Sequence, residues 1–324
     1  MLREKLRSST ETVSPPGHGR GGFTLVLVGA MLWGSNGVTG SLAASHSEMS
    51  WAAIVALRMA VGGLAVVAVT VVTGEFRRLH HNRRTWRTIL LTAACSVVFA
   101  GGYFQALDFV GVAVATVVSI GALTVLLTVV ATVRNRRWPS PSVAIALVAS
   151  LIGLVLVCTP AGGGWSPVEG RDFAVGVALS TLSGLAFGAQ TLVNSRPVPG
   201  LSSRVLVGLS FTLAGILCIP WAAASGFGFD TMTPTAWTAL ALLTFVSTLL
   251  GFIAYFAGLH RGVHPTTAGV ATAVEPVVAG VLAVLVLGEH LTMLTVAGMA
   301  LILAGVLLVR PRTDRAAAAT PPGP

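Results

Sequence analysis

The second half of this chain repeats the first at a near-constant spacing of 152 residues. Tyr103-Phe104 matches Tyr255-Phe256, Leu107 matches Leu259, Val118 matches Val270, Val125 matches Val277 and Gly153 matches Gly305, all without a gap. Each copy carries five apolar segments, and an odd number obliges the second copy to enter a bilayer from the side opposite to the first. Two similar halves of opposite orientation can exchange conformations and open a midplane site to either side, so the pattern points to a secondary transporter.

That reading requires a membrane, and the composition supplies the argument. Of 324 residues, 54% are hydrophobic and 10% charged, with a mean hydropathy of +0.84, outside the range of soluble globular domains. Ten apolar stretches of roughly 20 residues can each cross about 30 Å of hydrocarbon as a helix. They fall near 22–43, 51–73, 88–107, 110–133, 141–159, 173–193, 203–224, 236–258, 266–287 and 292–309. The expected fold is all-α, ten transmembrane helices in an inverted 5+5 repeat, with repeats at 22–159 and 173–309. Residues 1–21, polar and containing Pro15-Pro16-Gly17, read as a disordered cytoplasmic tail. Residues 310–324, ending in low complexity, read as another. No small-residue cleavage site follows the first apolar stretch, so it reads as a retained helix.

The net charge of +9 does not indicate nucleic acid, because the basic residues sort by side. Alternate segments carry Arg3, Lys5, Arg7 and Arg20, then Arg77, Arg78, Arg83, Arg84 and Arg87, then Arg134, Arg136 and Arg137, then Arg196 and Arg204, then Arg261, and finally Arg310, Arg312 and Arg315. The intervening loops hold Arg171 alone, and Arg58 lies inside a helix. The positive-inside rule places both termini in the cytoplasm, and the same charges suit anionic lipid headgroups. Nineteen arginines against one lysine fit a GC-rich bacterial genome and hence a bacterial plasma membrane. Cys95, Cys158 and Cys218 lie in or at the ends of apolar segments and imply no disulfide framework. The seven histidines show no metal-ligand spacing, and no cofactor is expected.

Charge at mid-membrane is costly and marks candidate sites. Two residues qualify, Glu275 in the ninth helix, directly before Pro276, and Arg58 in the second. Pro276 cannot donate a backbone hydrogen bond and its ring clashes with the Thr272 carbonyl, so the helix should bend there and serve as a hinge. A carboxyl group beside such a bend suits proton coupling or cation binding, while the plainer reading is an interhelical lock. Arg58 has three candidate partners, a carbonyl, a substrate carboxylate or Glu275, and a structural role reached by snorkelling stands beside them. Trp33-Gly34-Ser35-Asn36 in the first helix is matched by Phe187-Gly188-Ala189-Gln190 in the sixth. Asn36 and Gln190 could line a cavity or bond a neighbouring helix. Tyr103, beside Gln105, and Tyr255 occupy equivalent places and either line the pathway or anchor helix ends.

Taken together, Trp33-Gly34, the arginine of the second helix and the run from Glu275-Pro276 through Leu287-Gly288-Glu289 to Gly298 and Gly305 resemble the EamA-type members of the drug/metabolite transporter superfamily. The resemblance spans 22–309 and implies a central cavity between the halves and export of small metabolites, often amino acids or toxic analogues. Two departures stand out: Thr124 replaces the proline aligned with Pro276, and Arg137 replaces the glutamate aligned with Glu289. Thr124 can bend its helix weakly by bonding the Ile120 carbonyl but cannot break it. The expected function is proton-linked export of a small polar or amphipathic solute through Glu275, by a monomer or homodimer. The other readings are an energy-independent facilitator with a structural Glu275 and, for want of a clustered constellation of catalytic groups, more remotely a membrane-embedded enzyme.

Overall fold

The computed structural model describes residues 18–157, 159, 171–287 and 292–309, and every regular element among them is helical. In chain order these are α1 (His18–Trp33), α2 (Asn36–Ser45), α3 (Trp51–Val72), α4 (Arg83–Gly111), α5 (Val114–Asn135), α6 (Pro141–Val157), α7 (Arg171–Asn194), α8 (Ser203–Ser225), α9 (Pro234–Leu242), α10 (Gly251–His260), α11 (Pro265–Thr272), α12 (Glu275–Leu287) and α13 (Met293–Val309). A π-helical stretch, Leu243–Leu250, joins α9 to α10. Eight runs are long and apolar enough to cross a membrane, α1 with α2, α3, α4, α5, α7, α8, α9 through α10, and α11 with α12. The helices α6 and α13 are apolar but shorter. The tails, the 160–170 connection and Gly288-Glu289 lie outside the described residues.

Helices start where the sequence supplies caps. Ser50, Asn82, Ser202 and Thr233 each accept a bond from the backbone N–H three residues on, at 3.2, 2.8, 3.2 and 3.2 Å, satisfying donors that the first turn leaves open. Pro234 and Pro265 occupy first turns, where a missing N–H costs nothing. Between α4 and α5 the chain reverses at Gly111 with φ +70°, a conformation open to glycine. Hydroxyls inside spans return to their own helix, as Ser96 does to the Thr92 carbonyl and Ser210 to that of Leu206, at 2.8 and 2.6 Å. Outward, Val72, Leu285 and Met293 are 87%, 75% and 88% exposed, a surface suited to lipid.

Among the pairings that build the bundle are α1 on α10, α4 and α5 on α7, α3 on α8, α6 on α13, and α5 on α11. Small residues set the spacing, since lipid offers no hydrophobic drive and close contact must supply the attraction. A Cβ added at Gly153 would lie 2.6 Å from the Gly298 carbonyl oxygen, and one at Gly298 the same distance from that of Gly153. One set of connections gathers on one face: Glu75 pairs with Arg204 at 2.6 Å, Ser203 bonds His260 at 3.1 Å, and Gly22 abuts Arg261 and Val263. On the other face Thr231 accepts from the Glu48 N–H at 2.8 Å, Ser50 bonds the Gly226 carbonyl at 2.7 Å, and Thr233 bonds that of His46 at 3.1 Å.

Candidate functional site

Two spans are broken near their middles, and the breaks meet. In the first, Gly34 and Ser35 fall back on three-residue bonds to Met31 and Leu32 at 3.0 and 3.3 Å, the Ser35 hydroxyl adds a bond to Leu32 at 2.8 Å, and the helix restarts at Asn36. In the other, Ala273 and Val274 bond Val270 and Ala271, both at 3.2 Å, before α12 begins at Glu275. Pro276 has no N–H to return to Thr272, which makes this the cheapest place to interrupt the span. A Cβ on Gly34 would lie 2.9 Å from the Glu275 carbonyl oxygen, so the two breaks can touch only with glycine there.

A third irregularity joins them. The π-helical turn places the Ser247 hydroxyl within donating distance of the Leu32 carbonyl, 2.9 Å, and of Asn36 Oδ1, 2.7 Å. Thr248 bonds five residues back to Leu243 at 2.8 Å, closing the wide turn. With Asn36 Oδ1 accepting from Ser247, the amide N–H₂ is left to face the Glu275 carboxyl group. Asn36 and Glu275 are half-buried. Gly40, one turn beyond Asn36, is buried, yet nothing lies within 4 Å of where its side chain would begin. Open space therefore borders the α2 side of this cluster. The arrangement can hold a proton or a cation on a carboxyl group placed between three interrupted helices.

The matching place in the other half is closed. Gln190 is fully buried; its Nε2 donates to Ser96 Oγ at 2.7 Å and to the Thr92 carbonyl at 3.4 Å, while Oε1 has no partner. Asn194 extends this seam between α4 and α7 by donating to Thr92 Oγ1 at 3.1 Å. The position aligned with Glu275 is Leu123, 1% exposed. Thr124 bonds the Ile120 carbonyl at 2.7 Å and its helix stays continuous.

The remaining candidates fall into separate groups. Trp33, 3% exposed, packs against Phe187, Phe252 and Tyr255 with ring centroids 5.3, 4.8 and 5.1 Å away. Tyr255 is sealed and its hydroxyl meets that of Thr191 at 3.0 Å. The Tyr103 hydroxyl meets Thr116 at 2.8 Å, and Gln105 donates to Asp108 at 3.4 Å near the end of α4. Arg58 is 5% exposed and lies over the Phe104 ring at 4.8 Å. It does not pair with Glu275; the ion pair among the described residues is Glu75 with Arg204. No group of histidine, cysteine, aspartate and glutamate among the described residues could hold a metal. A cleft of about 570 Å³ opens on the arginine-rich face between α5, α6 and α11, lined by Thr128, Asn135, Arg137, Ser140 and His264. Burial and then nearby Arg134 hold the His264 imidazole below its usual pKa.

Sequence reasoning missed Ser247, Ser96, Thr92 and Asn194. The signal existed, since Ser96 and Ser247 are 151 residues apart, almost the repeat spacing, and each meets the paired amide of the first or sixth span.

A family model described as the EamA-like transporter family matches the chain twice, over residues 20–159 and 174–310. Among relatives, the uncharacterized transporter YwfM of Bacillus subtilis is 26% identical over 296 residues, 91% of this chain and 96% of that protein. The uncharacterized inner membrane transporter YicL of Salmonella typhimurium is likewise 26% identical over 295 residues, 90% of this chain and 96% of its own length. A solved crystal structure shares the fold, with a TM-score of 0.72 at 18% identity, covering 91% of this chain and 98% of that one. The two matches of the family model, one to each half of a multi-pass helical membrane protein, establish that this chain belongs to the EamA-like transporter family.

Proposed function

We propose that the chain is a secondary active exporter of a small polar or amphipathic solute, working by alternating access, with Glu275 taking up and releasing the coupling proton. One observation carries the reading: the run from Ser247, hydrogen-bonded to Asn36, to the Glu275 carboxyl group that the Asn36 amide faces joins three helices at the points where each departs from α-helical geometry. Interrupted helices meeting near the midplane are how transporters build sites that can be remade from either side. The inverted 5+5 repeat is supported by the pairings. A two-fold exchange of halves carries the contact of α1 with α10 onto that of α7 with α4, and maps α3 with α8, α5 with α11, and α6 with α13 onto themselves. The arginine-rich face is the cytoplasmic one on this reading. Its cleft, together with the hydrogen-bonded seal on the opposite face, is what an inward-open conformation would have.

The second reading, a facilitator with a structural Glu275, draws on the same contact, since Asn36 could simply lock α12 to α2. Glu275→Gln separates the two in proteoliposomes. The amide keeps shape and hydrogen bonding but cannot titrate. The solute is first chosen by growth tolerance of an expressing strain to amino acids, their analogues and cationic drugs. Accumulation driven by a pH gradient should then collapse in the variant while solute-for-solute exchange persists. A Gln variant that still accumulates solute under an imposed pH difference ends the coupling role.

A further inference from the structure

Arg58 is a positive charge inside the bundle with no carboxylate paired to it among the described residues. Its side chain is 5% exposed, its Nε has no hydrogen-bond partner, and no carboxylate pairs with it among the described residues. Its neighbours are the Phe104 ring, the Tyr103 phenol and the Cys218 thiol. Trp51, whose centroid is 5.2 Å from that of Phe104, backs the ring. The residues around it on α3, from Ala52 to Ala56 and at Met59, are all buried and apolar. A buried guanidinium left in this condition lowers stability unless something compensates it, and among the described residues the Phe104 ring does so only in part. The ring covers one face of the guanidinium by cation–π contact, which leaves its N–H edge free to donate.

We propose that this edge is the docking point for a carboxylate carried by the transported solute. The inference rests on the transporter reading above and adds the class of solute: an organic acid or amino acid with an apolar body against Phe104 and Trp51. A planar fork of N–H donors matches the two oxygens of a carboxylate. One cation in an apolar wall balances a single negative charge and leaves a dianionic phosphate half neutralised.

The test uses the purified full chain in nanodiscs. Thermal unfolding is followed against acetate, norleucine, hexanoate and norleucinamide at constant ionic strength, alongside Arg58→Gln and Arg58→Lys. Ligand binding to the folded state raises the unfolding temperature. Norleucine and hexanoate should stabilise the wild type, acetate should do so weakly, and norleucinamide, which lacks the acid, should not. Arg58→Gln removes a charge compensated only in part, so it should unfold at a higher temperature than the wild type without ligand and lose at least tenfold in carboxylate affinity. Arg58→Lys should keep the preference for acids with weaker binding. A structural arginine gives the reverse, a less stable Gln variant whose response to the acids is unchanged. Stabilisation by norleucinamide equal to that by norleucine, or by none of the acids, overturns the carboxylate site. Either result leaves the exporter reading to stand or fall on the proteoliposome measurements.

Discussion

Asn36 and Gln190 show how one residue type at equivalent places can take different work. Both reach a serine on a neighbouring span, Asn36 to Ser247 and Gln190 to Ser96. Asn36 also touches a carboxyl group and borders open space, whereas Gln190 is sealed with one oxygen unpaired. Replacing each by leucine should therefore give unequal results. Asn36→Leu removes the amide that faces Glu275 and the acceptor of the Ser247 hydroxyl and should cost about 1–3 kcal/mol, with transport lost and membrane insertion retained. Gln190→Leu deletes an acceptor that bonds nothing, and Ser96 keeps its bond to Thr92, so stability should shift by less than about 1 kcal/mol. Thermal unfolding and transport of the two variants side by side check this; equal losses would mean that both amides serve packing alone. The sequence placed the two amides at one register but gave no sign of which was open, because burial depends on helices far away in the chain.

At the scale of elements, the interruption in the ninth span was legible because Pro276 removes a donor and obstructs a carbonyl, effects local to the chain. The break at Gly34-Ser35 and the π-helical turn at Leu243–Leu250 carry no proline. Both arise from contact, the first where Gly34 meets α12 and the second where Ser247 reaches across to Leu32, so no local pattern announced them. Thr124 shows the contrast, bonding back to Ile120 within a continuous helix. Pro276→Ala should restore a donor toward Thr272 and join α11 to α12. The expected outcome is slower solute exchange in vesicles with unchanged insertion, and stronger hydrogen-exchange protection from Ala273 to Val277. Unchanged exchange rates together with raised protection would make the break passive.

At the scale of the molecule, the all-helical, membrane-spanning character could be read from the chain, because hydropathy is a property of the sequence itself, and charge likewise carries the proposed orientation. Which face is closed could not, since it depends on bonds between loops about 180 residues apart, Glu48 with Thr231 and Ser50 with Gly226. On the proposed orientation that closed face is the external one, and the proposed alternating-access cycle requires it to open once in every turnover. Cysteines placed at Glu48 and Thr231, in a chain whose Cys95, Cys158 and Cys218 are replaced by serine or alanine, test both points. A membrane-impermeant maleimide added to intact cells should label them, which fixes the face as external. A short bismaleimide joining the pair should then abolish transport, while modification of either cysteine alone leaves most of it, because a single adduct removes at most one hydrogen bond of about 0.5–1.5 kcal/mol. Absence of labelling would reverse the assigned orientation. Full transport after cross-linking would mean that the solute passes without separation of the 46–50 and 226–233 segments, and the alternating-access cycle would have to be abandoned.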